Sequence, residues 1–235
     1  MSELKPSDPT WELLKLLFKP HPWHGVSIGA DAPGVVTVFV EIVPTDTVKY
    51  EIDKPSGHLK VDRPQKYSNV CPTLYGFVPQ TFCGDRVAAL SQERTGTTTV
   101  RGDGDPLDIC VLSEKTFSHG DVLLQAVPIG GLRLIDHEEA DDKIVAVLKG
   151  DFAFGHFQDI SEVPEAQIER LKHYFLTYKR PPLPEDTGSA AEVAITHVYG
   201  RQEARQVIER SREDYQALFP DLRDRLLASL RQGVG

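Results

Sequence analysis

The chain has 235 residues, of which 40% are hydrophobic and 26% are charged, and its formal net charge is −9. This length is enough for one large globular domain, and the acidic balance argues against a nucleic-acid-binding protein, which normally presents a basic surface. Three cysteines, an odd number without a CxxC motif, argue against a disulfide framework and a zinc knuckle. Because no signal peptide and no membrane-spanning apolar run are apparent, we expect a cytoplasmic protein without a membrane partner.

The two ends of the chain predict helical extensions around a main domain. Residues 8–10 (DPT) are typical of a helix start and precede the apolar stretch WELLKLLF, so we expect an N-terminal helix within residues 1–22. This helix would dock on its own domain or on a sister subunit. A Pro- and Gly-rich connector over residues 19–34 leads into the main domain, placed at 23–218, and a helical tail is expected over 219–235.

The first half of the main domain predicts β-strands. Segments that are β-branched and aromatic, or that alternate in polarity, predict strands at residues 35–43, 47–53, 58–63, 122–136 and 143–148. Gly130 and Gly131 would let the longest strand bend, as barrel strands do. Several short strands separated by turns predict a small closed barrel.

The remaining segments predict one long loop and two helices. Residues 80–102 are polar, with two glycines and a run of threonines, and predict an inserted surface loop. Ser161 is a candidate N-cap for a helix with an apolar face formed by Ile168, Leu171, Phe175 and Tyr178. Residues 181–189 predict a linker and 191–199 a strand, and a second helix begins at Gly200.

Residues 101–112, RGDGDPLDICVL, place three aspartates directly before an apolar run. At an effective dielectric constant of ~20, two carboxylates ~4 Å apart repel by about 4 kcal/mol, so something must neutralise them. One alternative is that one or two of these aspartates only form a turn, since Asp, Gly and Pro favour turns. An EF-hand loop starting at Asp103 is excluded because Asp108 occupies the position that requires glycine. An aspartyl-phosphate transferase stays an alternative, although its motif follows an apolar strand.

A second acidic segment, IDHEEADDK at residues 135–143, follows the longest predicted strand. Alone it would be a solvated acidic loop, but strand ends meet in a barrel, so Asp136 and Asp141 can converge with the first cluster. Carboxylates without Cys or His suit a hard cation such as Mg²⁺. Several Mg²⁺ ions imply a phosphate-containing substrate, and further side chains could hold its oxygens or line its pocket: Lys49, Glu51, Arg63, Tyr178 and Lys179.

Over roughly residues 24–215 the chain resembles the Mg²⁺-dependent family I of soluble inorganic pyrophosphatases. The resemblance rests on seven segments in order: VEIVP (40–44), KYEID (49–53), VDR (61–63), CPTLYGFVP (71–79), DGDPLD (103–108), IDHEEADDK (135–143) and TYK (177–179). It implies a mainly β fold, an OB-like five-stranded barrel with flanking helices. It also implies that pyrophosphate is hydrolysed to two orthophosphates by a metal-activated water, without a covalent intermediate.

The same resemblance implies a role for each matching residue. The ligands of several Mg²⁺ ions would be Asp103, Asp108, Asp136 and Asp141, with Glu41. Asp105 would orient or deprotonate the attacking water, with Tyr75 and Glu51 beside it. The phosphate ligands would be Lys49, Arg63, Tyr75, Lys143, Tyr178 and Lys179.

Two departures from the family pattern affect these expectations. Cys71 stands where bacterial members often carry tyrosine, so one hydroxyl of the phosphate site is missing or supplied from elsewhere. The 80–102 segment exceeds that of compact bacterial members. Its arginines, at positions 86, 94 and 101, could cover the site, although a surface or contact role is favoured. A homo-oligomer is implied, with a hexamer favoured and a dimer possible.

Two other functions are compatible with a barrel of this kind. One is a non-catalytic OB-fold module that binds oligonucleotides or a protein, since fold does not determine function. Such a module needs a basic groove with stacking aromatics, whereas this chain is acidic. The other is a phosphatase that acts on polyphosphate or nucleotides.

Overall fold

The structure is a computed structural model that describes residues 19–179 and 193–220. The strands are β1 Val36–Ile42, β2 Val48–Ile52, β3 Leu59–Pro64, β4 Leu74–Phe77, β5 Arg101–Gly102, β6 Asp108–Leu112, β7 Val122–Asp136, β8 Glu139–Ala140, β9 Lys143–Leu148 and β10 Val193–Gly200. The helices are α1 Asp85–Thr95, α2 Glu165–Thr177 and α3 Arg201–Leu218.

Some of the expected segments fall beyond these residues. The predicted N-terminal helix up to residue 18, the linker at 181–189 and the tail from 221 onwards lie outside the described residues. Within the described ranges, no helix combines the length and the apolar character needed to cross a membrane.

Five strands close into a ring, as the sequence predicts. The order is β1, β4, β6, β9 and β7, and β7 pairs again with β1 to complete the barrel. The β6–β9 pair is parallel and the other four pairs of the ring are antiparallel. The hairpin of β2 and β3 forms a separate two-stranded sheet. This hairpin forms one wall of the candidate site.

Strand β7 is long enough to pair with four other strands along its length. Its first part pairs with β1, its middle with β9, and its end with both β10 and β8. The pairing with β9 shifts register between Pro128 and Gly130, where the strand was expected to bend. A Cβ atom on Gly131 would lie only 2.4 Å from the ring of Tyr199. Glycine at this position therefore lets β10 approach closely, which places Tyr199 against the barrel.

Alternate residues of the barrel strands pack against different helices. On β6, Ile109 and Val111 belong to an apolar cluster that includes residues of α1 and α3, whereas Cys110 and Leu112 pack with α2. A strand that is buried on both faces is expected to be apolar throughout, and β6 is apolar after its first residue. This burial fixes the position of Asp108, which opens the strand.

Helix α2 has the predicted apolar face, but it begins later than expected. Ile168, Leu171 and Phe175 are buried. The helix starts at Glu165, after Pro164, and Ser161 lies instead in a short 3₁₀ turn. Asp159 caps that turn by accepting a hydrogen bond from the Ser161 N–H at 3.1 Å. The prediction that Ser161 caps the long helix is therefore wrong.

The segment predicted as a surface loop contains a helix. Within residues 80–102, α1 buries three apolar side chains against the core: Val87, Ala88 and Leu90. The arginines of the segment are held in ion pairs that join it to the rest of the fold: Arg86 with Asp214 at 3.0 Å, Arg94 with Glu203 at 3.6 Å and Arg101 with Glu139 at 3.2 Å. The segment is part of the folded core, and the expectation of a loop is wrong.

Candidate active site

A cavity of about 340 Å³ lies between the β2–β3 hairpin and the barrel strands β1, β4 and β6. It is lined by six of the side chains that the sequence singled out: Glu41, Lys49, Glu51, Tyr75, Asp105 and Asp108. Separate segments supply these residues, so the cavity exists only in the folded chain.

The three aspartates of the first acidic segment occupy a turn and the start of a strand. The Asp103 carboxylate accepts a hydrogen bond from the Asp105 N–H at 2.9 Å, and Gly104 between them has a φ of +75°. This is the turn chemistry that Asp and Gly favour. Asp108 opens β6, whose next residues enter the core. The charges stand beside an apolar run because the turn lies at the rim of the barrel and the strand lies inside it.

Lys143 brings the two acidic segments together. It opens β9, its backbone is paired with that of Asp108, and its ammonium group contacts the carboxylates of Asp108 and Asp141. The Tyr75 hydroxyl donates a hydrogen bond to Asp108 Oδ2, the same oxygen that the Lys143 ammonium contacts. Burial alone would lower the pKa of the Lys143 ammonium, but Asp108 and Asp141 raise it well above its ordinary value. Lys143 is therefore charged at neutral pH.

A second contact joins the end of β7 to the end of α2. Asp136 is the last residue of β7, and its carboxylate contacts Lys179 and lies 2.6 Å from His137 Nδ1. Although partial burial would raise the pKa of Asp136, its hydrogen bonds to Lys179 and His137 lower it. The guanidinium of Arg63 lies 5.5 Å from the centre of the Tyr178 ring. The predicted TYK segment thus faces both the acidic cluster and the hairpin.

The hairpin supplies charged residues that the sequence did not single out. Lys49 Nζ lies 3.1 Å from Glu51 and 2.7 Å from Asp62, and Lys60 Nζ lies 3.3 Å from Glu51. Lys54 contacts Asp105. Glu51 and Lys60 are directly opposite in the β2–β3 register. The alternation of charged residues in KYEID and HLKVD is the signal that would have found this face.

Two carboxyl groups of the cluster, those of Glu41 and Asp103, form no ion pair with the residues that the structure describes, and the lysines near them do not offset their burial. Burial and the nearby Asp108 raise the pKa of Glu41 to about 8, although its Oε1 accepts the Ile52 N–H at 2.7 Å. Burial and the nearby Asp141 raise the pKa of Asp103 to about 9. Both groups have a deficit of positive charge that a bound cation would relieve.

The side chains that could hold a metal ion are carboxylates that do not surround a common point. In the described part of the chain, no three or more His, Cys, Asp or Glu side chains stand in an arrangement that would already hold an ion. Lysines instead contact the carboxylates of Asp108, Asp136 and Asp141. The donors are nevertheless all carboxylates, and two of them are undercompensated. Their chemistry fits a hard divalent cation that would displace the lysine contacts.

Cys71, where a tyrosine hydroxyl would be expected, does not contribute a polar group to the cavity. Its side chain is fully buried in the cluster under α2, and burial raises the pKa of its thiol to about 11. A nearby hydroxyl belongs to Tyr174, which accepts a hydrogen bond from Gln65 at 3.2 Å and stacks on Tyr178 at 5.1 Å. The Tyr174 ring therefore packs against the Tyr178 ring and holds it in position.

Comparisons with known proteins agree with one another. The sequence model of the family described as inorganic pyrophosphatase matches residues 38–216. An inorganic pyrophosphatase of Chlamydia trachomatis is 50% identical over 199 residues, which cover 85% of this chain and 95% of the relative. A soluble inorganic pyrophosphatase of Zea mays is 37% identical over 212 residues, covering 90% of this chain and 84% of the relative.

Solved structures extend the likeness to the fold. The inorganic pyrophosphatase of Thermus thermophilus aligns with a TM-score of 0.67 and 28% identity, over 84% of this chain and 99% of that one. The corresponding Helicobacter pylori enzyme aligns with a TM-score of 0.64 and 30% identity, over 81% and 98%. The expected OB-like barrel is thereby confirmed. The chain belongs to the inorganic pyrophosphatase family.

Proposed function

We propose that the protein hydrolyses inorganic pyrophosphate to two orthophosphates with Mg²⁺ as its cofactor. Membership of the inorganic pyrophosphatase family makes it an inorganic diphosphatase, EC 3.6.1.1, and the family is generally metal-dependent. The observation that supports the proposal most strongly is the convergence, through Lys143, of Asp108 from one acidic segment and Asp141 from the other. Hard cations held by carboxylates beside lysine and arginine form a site for an anionic, oxygen-rich substrate.

The metal ligands in this proposal are five carboxylates from three segments of the sequence: Asp103, Asp108, Asp136, Asp141 and Glu41. When bound, Mg²⁺ would supply positive charge and lower the pKa of a water molecule. The raised pKa values of Asp103 and Glu41 support the assignment, because these groups need a cation to be ionised at neutral pH.

Asp105 is the proposed partner of the attacking water. Its carboxylate is half-exposed at the rim of the cavity, where it can accept a proton or fix the direction of a water molecule. Its contact with Lys54 holds it at this rim. Glu51 and Tyr75 line the same cavity, and the Tyr75 hydroxyl keeps Asp108 oriented.

The phosphate groups would be held by cations and hydroxyls from both sides of the cavity: Lys49, Arg63, Tyr75, Lys143, Tyr178 and Lys179. Preorganised donors of this kind stabilise charge on the leaving phosphate without rearranging during the reaction. Positioning and electrostatics then account for the displacement, and no phosphorylated aspartate is required. This separates the proposal from the aspartyl-phosphate alternative.

We also propose a cytoplasmic homo-oligomer, with a hexamer favoured over a dimer. The resemblance to bacterial members of the family supports this choice. Light scattering coupled to size-exclusion chromatography would give the number of 26.1 kDa chains in the particle. A monomer would contradict the proposal.

Phosphate release from pyrophosphate, ATP and tripolyphosphate, each with Mg²⁺ or with EDTA, tests the function. We expect pyrophosphate to be the preferred substrate, with activity lost in EDTA and restored by added Mg²⁺. Asp108→Asn should reduce turnover by at least about 100-fold because it removes a charged ligand. Asp85→Asn, at an exposed aspartate that opens α1, is the matched control. Activity that resists EDTA, or a preference for ATP, would overturn the proposal.

A further inference from the structure

A buried ion pair between Arg133 and Asp142 lies beside the acidic site and has no role in the proposed chemistry. Arg133 is fully buried and Asp142 is 2% exposed. The guanidinium binds the carboxylate at two points, Nε to Oδ1 at 3.1 Å and Nη2 to Oδ2 at 2.9 Å. Two parallel hydrogen bonds of this kind fix both the distance and the orientation of the two groups.

Side chains from two further elements enclose the pair. The Arg133 guanidinium lies 5.1 Å from the centre of the Tyr199 ring, and the Tyr199 hydroxyl donates to Asp142 at 3.3 Å. On the other side, Arg133 Nη1 lies 3.2 Å from a carboxylate oxygen of Glu203 in α3. The pair thus ties β7, the segment before β9, the end of β10 and the first turn of α3 together.

The position of Asp142 in the chain connects this pair to the site. It stands between Asp141 and Lys143, whose side chains contact each other beside Asp108. The Asp141 N–H donates to the Leu134 carbonyl at 3.1 Å, so the backbone is also held on β7. Successive side chains of an extended segment point to opposite sides. Holding Asp142 on one side therefore directs Asp141 and Lys143 to the other.

We propose that Arg133 and Asp142 are positioning residues, which fix the segment that presents Asp141 to the metal and Lys143 to the phosphate. The inference rests on the proposed function. Buried ion pairs contribute little net stability compared with apolar side chains of similar volume, because both charges lose their hydration. Apolar side chains could fill the same volume, so packing does not explain why this ion pair is present. The precise orientation of Asp141 and Lys143 does explain it. Groups that orient metal ligands from behind typically change metal affinity or activity by about 10- to 100-fold when they are removed.

The first test measures Mg²⁺ binding by calorimetry on EDTA-treated, dialysed protein without substrate. Asp142→Asn keeps the shape of the side chain but removes its charge, and we expect the affinity for Mg²⁺ to fall by about 10-fold. Asp151→Asn is the matched control. Asp151 is also a buried carboxylate, and it accepts hydrogen bonds from the Glu114 and Phe154 N–H groups, away from the site. This control should lower the melting temperature and leave Mg²⁺ affinity unchanged.

The second test separates positioning from stability. The double variant Arg133→Met/Asp142→Leu removes both charges and keeps the volume apolar, so its melting temperature should stay close to that of the wild type. We expect its Mg²⁺ affinity to fall about 10-fold nevertheless, with a matching loss in kcat that high Mg²⁺ concentrations only partly restore. Should this variant fail to fold, Arg133→Lys keeps the charge, loses the two-point contact and is expected to show the same Mg²⁺ defect.

Wild-type Mg²⁺ affinity in a folded double variant, or in folded Asp142→Asn and Arg133→Lys, would overturn the inference and leave the proposed function intact. Failure of the wild-type protein itself to bind Mg²⁺, or activity that persists in EDTA, would instead contradict the proposed function. The two failures are therefore distinguishable within one set of measurements.

Discussion

Individual carboxyl groups in the site would suit a bound cation, but without one they destabilise the folded protein. Asp103 and Glu41 have raised pKa values because they are desolvated and lie near other carboxylates. Lysine ammonium groups form ion pairs with the other carboxylates of the cluster, those of Asp108, Asp136 and Asp141. Functional sites often contain such opposed requirements, since groups that suit a ligand are unfavourable to the protein without it.

Asp103→Asn should therefore stabilise the metal-free protein while impairing the enzyme. The substitution removes a desolvated carboxyl group that Asp141 repels. After allowance for solvent screening of this half-buried side chain, we expect a gain of about 1 kcal/mol, or about 2–4 °C in melting temperature, in EDTA at pH 8. The same variant should lose most of its Mg²⁺-dependent activity.

The measurement is a thermal melt and a phosphate-release assay on the same preparations. Asp53→Asn serves as the control, because Asp53 lies at the cavity but its hydrogen bond to Ser56 lowers its pKa. This control is expected to gain no stability. An Asp103→Asn protein that is both less stable and fully active would contradict the account of Asp103.

Arg63→Ala should affect substrate handling more than metal binding. Arg63 stands on the hairpin, pairs with Asp62 and lies over the Tyr178 ring, away from the Lys143 contacts. We expect KM for pyrophosphate to rise about 10-fold, because a guanidinium that holds phosphate is removed. Calorimetric Mg²⁺ affinity should stay within about twofold of the wild type.

Lys172→Ala is the control for Arg63→Ala, since Lys172 is a cation whose ion pair with Glu169 lies within α2. It should have wild-type kinetics. If the main defect of Arg63→Ala were a loss of Mg²⁺ affinity, its assignment to phosphate binding would be wrong.

Among the elements of the fold, α1 shows how a tertiary contact replaces a local helix cap. Gly84 precedes this helix and offers no side chain to cap it. The buried carboxylate of Asp214, from α3, accepts hydrogen bonds from the N–H groups of Gly84, Arg86 and Val87 at 3.1, 3.0 and 3.1 Å. A negative charge at this end also suits the helix dipole. The two helices therefore stabilise each other.

Asp214→Ala should destabilise the protein by about 2 kcal/mol or more, because three backbone N–H groups lose a charged acceptor. Urea unfolding followed by circular dichroism would measure the change. Glu213→Ala, which removes the neighbouring and more exposed carboxylate, should cost less than about 0.5 kcal/mol. Equal effects of the two substitutions would show that Asp214 does not cap α1.

The elements that the sequence predicts well are those whose pattern is local. The barrel strands β1, β7 and β9 were predicted because their segments are rich in β-branched and apolar residues, as in IVAVL at 144–148. Helix α1 was missed because its apolar residues are few and its cap comes from Asp214, which is 129 positions from Asp85 along the chain. No local pattern carries that information.

The residues of the candidate site also fall into two groups: those that a local sequence pattern reveals and those that only the fold reveals. Aspartates crowded into short segments were visible because like charges rarely stand together without a partner. Lys60 and Asp62 were missed because their approach to Glu51 and Lys49 depends on the strand register. The pairing of Arg133 with Asp142 depends on how β7, β10 and α3 pack. Sequence patterns thus predicted the candidate ligands, and the tertiary fold was needed to find the residues that contact and orient them.

At the scale of the whole molecule, the site links parts of the chain that the barrel alone does not hold together. The ends of β6, β7 and α2 and the β2–β3 hairpin all contribute charged groups to it. The molecule is also acidic, with a net charge of −9, so cations are attracted to it over a long range. A ligand that joins these segments should stabilise the folded state as a whole.

Saturating Mg²⁺ should therefore raise the melting temperature above its value in EDTA. At a free Mg²⁺ concentration 100 times the dissociation constant, binding to the folded state alone contributes about 2.7 kcal/mol per site. For a chain of this length that corresponds to about 5–10 °C. A differential scanning melt across a Mg²⁺ series measures it, at constant ionic strength so that screening of the net charge does not contribute. Asp108→Asn should lose most of this increase and Asp85→Asn should keep it. An equal increase in both variants would mean that Mg²⁺ stabilises the fold from somewhere other than this site.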